Sequence, residues 1–300
     1  MKVARWRDDA GVEYVGEVTP DGLVASARIG KGREGDAAVV NFASRGEMPL
    51  PLADPVPEES VQLLAPIRRP PAVRDFYAFE QHVRTARERR GLEMNPDWYQ
   101  LPVFYFSNPH TIIGPGEQVP YPATEALDYE LEVAAVVGED ATDLDADAAL
   151  DVIVGYTIFN DFSARDVQRR EMALGLGPAK GKDFASALGP YLVTPDELGG
   201  TPQRPQAAMV ARVNGEEWSR GELAGIHHPF AELVAYASRD SKLRAGDLIG
   251  SGTVGTGCIL ELSLTHGSER YPWLAPGDVV ELEVEGIGIL RNTIGQRRTT

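Results

Sequence analysis

The stretch Asp128-Tyr129-Glu130-Leu131-Glu132 runs straight into Val133-Ala134-Ala135-Val136-Val137. A short run of β-branched and small residues, ended by Gly138, predicts a buried strand. Alternate residues of a strand share a face, so Glu130 and Glu132 point the same way. Glu-x-Glu most often lies on a wet strand face. Here it feeds a run with no polar side, and neighbouring carboxylates are costly there unless positive charge lies between them. A divalent cation is the simplest partner.

Other acids qualify as its companions. Val152 to Phe159 predicts a second buried strand, ending in Asn160-Asp161. Ser163-Ala164-Arg165-Asp166 has a capping-box pattern, so a helix follows, with Arg165 and Gln168 one turn apart on one side. Taken singly, Asp161 reads as a turn residue and Arg165 and Gln168 as wet helix surface. Asp75 to Arg90 predicts a helix with Phe76, Phe79, Val83 and Ala86 as its apolar stripe. If it begins at Asp75, that carboxylate and His82 share a side. Lys180 and Lys182 lie in a glycine-rich loop, Gly177 to Gly189. Glu261 sits in Cys258-Ile259-Leu260-Glu261-Leu262-Ser263-Leu264, which reads as a strand. Asp75, Glu130, Glu132 and Asp161 would make an all-oxygen site, which selects Mg²⁺, Mn²⁺ or Ca²⁺ over zinc.

The elements that must position these groups are those of a β-rich protein. The chain has 300 residues, with 31 Gly and 22 Pro to supply turns. Residues 1–66 predict a small β-rich unit: Val12 to Val18 alternates, and Pro20-Asp21-Gly22 turns into Leu23-Val24-Ala25. Asp36 to Ser44 fits either a short helix or a strand. Arg68-Arg69-Pro70-Pro71 is a stiff connector, and a boundary is expected near it, with residues 67–300 as the second unit. Leu101 to Phe106, with Tyr105, is strand-like. Asn214-Gly215 marks a hairpin. His227-His228 precedes a helix from about Pro229 to Ser238, and adjacent histidines diverge on a helix, which argues against a shared metal. Gly250-Ser251-Gly252-Thr253-Val254-Gly255 satisfies the dinucleotide fingerprint, which needs a following helix. A strand is expected there, so these glycines are assigned to close backbone approach.

Net charge is −16 and the isoelectric point near 4.8, which disfavours nucleic acid and anionic membrane as partners. The single cysteine, Cys258, excludes an intramolecular disulfide and fits a reducing compartment. The first residues lack a signal-peptide core, and no apolar run is long enough to span a bilayer. A cytoplasmic protein is expected.

From about Pro66 to Ile294 the chain resembles the fumarylacetoacetate hydrolase family. The matching stretches are Asp75-Phe76-Tyr77 with His82, Asp128 to Glu132, Asn160 to Gln168, Gly181-Lys182-Asp183-Phe184, Gly250-Ser251-Gly252-Thr253 and Glu261. The resemblance implies an α+β, β-dominated fold, a mixed β-sandwich roll preceded here by the small N-terminal domain, and a homodimer. It implies Asp75, Glu130, Glu132 and Asp161 as ligands of Mg²⁺, with Mn²⁺ or Ca²⁺ as alternatives. It implies His82 as general base, Glu261 as the acid that orients it, and Arg165, Gln168 and Lys182 as groups that bind a carboxylate or oxyanion. Tyr77, Tyr105 and Thr253 match substrate contacts. Met172 stands where the hydrolases proper carry a substrate tyrosine, and Ser186 where they carry a threonine. A family arginine after His82 falls among Arg87, Arg89 and Arg90.

The activity implied is metal-dependent hydrolysis of a carbon–carbon bond in a β-diketo acid, fumarylacetoacetate or a related acylpyruvate. A decarboxylase or isomerase acting on a 2-keto or 2-hydroxymuconate-type acid is the alternative within the family. A non-catalytic metal- or carboxylate-binding protein is the alternative outside it.

Overall fold

The computed structural model describes residues 1–29, 33–46, 50–89 and 91–297; Arg90, where the helix expected from Asp75 was to end, lies outside them. In chain order the main elements are β1 (Lys2–Arg7), β2 (Glu13–Thr19), β3 (Gly22–Ile29), α1 (Arg33–Arg45), β4 (Val73–Phe76), α2 (Glu80–Glu88) and β5 (Phe104–Ser107). They continue with β6 (Gln118–Tyr121), β7 (Leu131–Val137), α3 (Ala146–Asp151), β8 (Ile153–Asp161), α4 (Arg165–Ala173), β9 (Ser186–Val193), β10 (Ala208–Val213) and β11 (Glu216–Glu222). The last are α5 (Phe230–Ser238), β12 (Leu248–Gly250), α6 (Ile259–His266), β13 (Val279–Val284) and β14 (Gly288–Arg297). The chain is β-dominated, with mixed sheets and few helices.

The large sheet has eleven strands, with the order β3-β2-β1-β9-β8-β7-β12-β4-β5 and two short strands off that path. A five-stranded sheet runs β11-β10-β13-β14-β6. Most pairs are antiparallel; β12–β4 and β14–β6 are parallel.

Burial along β7 explains the layering. Val133, Ala135 and Val137 face one core, with Met209, Ala211 and Leu282 of the smaller sheet and Phe230 and Leu233 of α5. Ala134 and Val136 face a second core, beneath Val39, Val40, Phe42 and Ala43 of α1. A strand covered on both sides can be apolar throughout, which is why its sequence does not alternate. Each buried Val contributes roughly 1.5–3 kcal/mol. The segment that fitted helix or strand is therefore helical, and its apolar stripe covers the large sheet. Strands β1–β3 add to the same sheet through Lys2↔Val193 and Val3↔Leu192.

Two expected elements differ. Asp75 does not begin a helix. It lies on β4, between Gly250 of β12 and Tyr105 of β5, and α2 begins at Glu80. Pairing on both sides of β4 outweighs the local helix signal, so no helical spacing relates Asp75 to His82. The predicted strand Cys258–Leu264 is likewise helix α6. Its first two free amides, Ile259 and Leu260, donate to the Asp128 carboxylate at 2.7 and 3.0 Å. A helix thus does follow the glycine-rich segment, but its N-terminus is already occupied by the chain's own anion. The glycines serve close approach. A Cβ at Gly250 would lie 2.3 Å from Asp75 Oδ1, and one at Gly252 2.4 Å from the Phe76 carbonyl oxygen.

Candidate active site

Strand register gathers the acids. Asp75 pairs with Gly250, which pairs with Ala134 of β7; Glu132 lies opposite Phe159, and Asp161 opposite Ser186. With period 2, Asp75, Glu132 and Asp161 fall on the face of the large sheet that carries Ala134, Val136 and Phe159. One end of that face is apolar and covered by α1; the other is acidic. Glu130, just before β7, is bridged to Cys258 and shares the parity of Glu132.

Asp75, Glu130 and Glu132 each offer an oxygen within 4.8 Å of the others. Asp161 joins them through Lys182, whose Nζ donates to Glu130 Oε2 and to Asp161 Oδ2, both at 2.5 Å. Tyr105 also donates to Asp161 Oδ2, at 2.5 Å, and Ser186 reaches Asp161 Oδ1 at 3.3 Å. Thr253 Oγ1 donates to Glu132 Oε1 at 3.2 Å, while Glu132 Oε2 is buried and has no hydrogen-bond partner among the described residues.

The cluster is short of positive charge, and its proton affinities show it. Burial, then the charge of Asp161, pushes the Asp75 carboxyl up to about 8. Burial, then Asp75, holds Glu132 well above the usual carboxylate range. Burial also raises Asp161, against the pull of Lys182. Burial opposes ionisation of Glu130 too, yet Lys182 and then Arg165 bring it below its ordinary value. Lys182 itself, despite burial, is held protonated above its usual range by Asp161 and Glu130. An excess of hard oxygen donors, one of them an orphaned buried carboxylate oxygen, fits a small divalent cation.

Arg165, on the first turn of α4, is buried. Its Nε donates to Asp128 at 2.7 Å, one terminal nitrogen to Glu130 at 2.7 Å, and the other to Gln168 Oε1 at 3.0 Å. Sequence reasoning gave Asp128 no role. It accepts from Arg165 and from both α6 amides, so one carboxylate ties Glu130 to the helix that carries Glu261. The available signal was parity, since Asp128, Glu130 and Glu132 are spaced by two.

On α6, Glu261 accepts from His82 Nδ1 of α2 at 2.9 Å, with both side chains buried. The carboxylate fixes the tautomer with the proton on Nδ1, leaving Nε2 as the basic nitrogen. The Tyr77 ring stands edge-on to His82, centroids 5.5 Å apart. Met172 is half-exposed on α4. The expected site residues thus fall in two adjoining groups, the acids with Lys182, Tyr105 and Thr253, and the His82–Glu261 pair with Tyr77, while Arg165 reaches Glu130 and Gln168 reaches Arg165.

Known proteins of one family resemble this chain. The sequence model of the family described as Fumarylacetoacetate (FAA) hydrolase C-terminal matches residues 72–295. The oxaloacetate tautomerase YisK of Bacillus subtilis (strain 168) is 32% identical over 238 residues, 78% of this chain and 73% of that protein. The 2,4-didehydro-3-deoxy-L-rhamnonate hydrolase of Sphingomonas sp. (strain SKA58) is 30% identical over 215 residues, covering 70% and 71% of the two chains. Among solved structures, the fumarylacetoacetate hydrolase from psychrophilic Exiguobacterium antarcticum aligns with a TM-score of 0.76 and 27% identity, covering 99% of this chain and 100% of its own.

Proposed function

Because the chain belongs to the fumarylacetoacetate hydrolase family, we propose that it is a metal-dependent hydrolase of a carbon–carbon bond in a β-diketo acid, fumarylacetoacetate or a related acylpyruvate. The observation that carries this reading is the buried pair of His82 and Glu261 beside the acids, since hydrolysis needs an activated water. Asp75, Glu130, Glu132 and Asp161 would hold Mg²⁺, or Mn²⁺ or Ca²⁺ in its place. A divalent cation there would polarise the substrate's carbonyl oxygens and offset the negative charge that develops on them.

The protein's own groups do the rest. His82 Nε2 takes a proton from water as the water oxygen attacks the carbonyl carbon. Glu261, accepting from Nδ1, stabilises the imidazolium that forms. Lys182, Gln168 and Arg165 provide donors and positive charge for the oxyanion, with Arg165 acting from behind Glu130. The carbon–carbon bond then breaks, its electron pair leaving with the enolate fragment, and His82 returns the proton to carbon. Tyr77, Tyr105 and Thr253 line the approach of the substrate. We place the enzyme in the cytoplasm as a homodimer; among the described residues no helix is long and apolar enough to cross a membrane.

His82→Ala should lower the cleavage rate by about 10²–10⁴-fold at saturating Mg²⁺. Undiminished cleavage would sink the hydrolytic reading. The likeness to an oxaloacetate tautomerase favours a second reading, tautomerase, isomerase or decarboxylase, in which the same pair moves a proton without water attack. Steady-state assays on an acylpyruvate and on enol-oxaloacetate separate the two. Turnover of either acid, abolished by EDTA, eliminates a non-catalytic binding protein.

A further inference from the structure

Beside the carboxylates lies a donor set of a different character. Cys258 is the N-cap of α6 and Glu261 follows three residues later, so both side chains leave the first helical turn on one side. His82 enters from the first turn of α2. One imidazole nitrogen, the Cys258 sulfur and one Glu261 oxygen lie within 4.8 Å of one another, and all three residues are buried.

We propose that His82, Cys258 and Glu261 form a second metal site, selective for a thiophilic cation of the zinc class, and that its occupation inhibits the enzyme. Zinc takes nitrogen, sulfur and oxygen donors at about 2.0–2.3 Å in a tetrahedron, which sets donor separations of about 3.3–3.8 Å. Reaching those separations changes any donor–donor distance by no more than about 1.5 Å and lengthens the 2.9 Å contact between His82 Nδ1 and Glu261. Softness separates the two sites: a thiolate with an imidazole prefers zinc or cadmium, whereas the carboxylates prefer magnesium or manganese. Charge favours it as well. A dication with one thiolate, one carboxylate and a neutral imidazole is neutral overall, which a buried position tolerates. On binding, the thiol proton leaves for solvent and the sulfur keeps its electron pair for the metal, while the 2.9 Å contact between His82 Nδ1 and Glu261 gives way and the imidazole proton moves from Nδ1 to Nε2, freeing the Nδ1 lone pair. The inhibition, though not the binding, rests on the proposed role of His82, because a coordinated imidazole no longer accepts a proton from water.

The chain's only cysteine makes the test unambiguous. Magnesium-saturated protein is titrated with Cd²⁺ and followed by the ultraviolet sulfur-to-cadmium charge-transfer band. The expected result is a band saturating at one cadmium per chain, absent in Cys258→Ser and with affinity lowered about tenfold or more in Glu261→Gln. No band in the wild-type chain, or a band indifferent to Glu261→Gln, overturns the site. In parallel, Zn²⁺ should inhibit turnover, with about tenfold more needed for Cys258→Ser. Equal inhibition of both proteins would place the inhibitory zinc among the carboxylates and overturn that half of the proposal. If no acid is turned over, the functional reading fails, and the cadmium band still decides the site.

Discussion

Arg5 and Lys182 are both buried cations, 1% and 4% exposed, and each lies between carboxylates. Around Arg5 the charges balance. It pairs with Glu13 at 2.9 Å and Asp36 at 2.6 Å; Arg7 shares Glu13, and Asp36 also accepts the backbone amides of Arg68 and Arg69. Against burial, Arg7 and Arg5 hold the Glu13 carboxyl below its ordinary value. Around Lys182 the charges do not balance. Among the described residues, Asp75, Asp128, Glu130, Glu132 and Asp161 face only Lys182 and Arg165 as ion-pair partners, an excess of three negative charges if all ionise. A cluster that only holds a fold together settles its charges internally. One left acidic at the end of a rigid sheet is poised to take a cation from outside.

Substitutions can break this contrast. Arg5→Met should cost the most, about 3–5 kcal/mol, because it removes the buried guanidinium that Glu13 and Asp36 share. Urea unfolding in EDTA measures it, and a loss below about 1 kcal/mol would show that the two clusters are not different in kind. Asp75→Asn should do the opposite in the acid cluster. Calorimetric Mg²⁺ affinity should fall about 100-fold, roughly 2.7 kcal/mol, while the unfolding midpoint in EDTA stays level or rises.

The pH dependence sharpens the same point. Asp75 rises from an ordinary value of 3.8 to about 8 in the fold, so the folded chain keeps a proton that the unfolded chain releases. Without metal, stability should therefore fall as pH climbs from about 4 toward 8. The gain in melting temperature from a fixed Mg²⁺ concentration should be larger at pH 8 than at pH 6, because the cation replaces that proton. A gain that is flat or shrinks would mean Asp75 is not a ligand. The smallest effect is expected at Met172→Tyr. The position is half-exposed, so stability should stay within about 0.5 kcal/mol, while KM for candidate acids changes if α4 borders the substrate.

Much of the site was legible because its chemistry is written in short stretches. Glu130 and Glu132 share a strand face by parity, and Arg165 and Gln168 share a helix side by spacing. What escaped depends on partners far along the chain. Cys258 to Leu264 is a short apolar run that fits helix or strand equally. Asp128, distant in sequence, decides for the helix by binding its first amides. Asp75 looked like a helix start because the two strand partners of Val73–Phe76, Leu248–Gly250 and Phe104–Ser107, are invisible locally. The apparent dinucleotide fingerprint is rightly read as close backbone approach, since Gly250 and Gly252 answer to Asp75 and Phe76, although a helix rather than the expected strand follows it.

The pairing of β1 with β9 bears on how this protein can be cut. A chain begun at the connector would present Leu192 and Val193 as a raw sheet border and leave Val136, Leu188 and Leu192 without the lid that α1 provides. Such borders recruit other strands. The trimmed protein should collect in inclusion bodies even though every proposed catalytic side chain is still present.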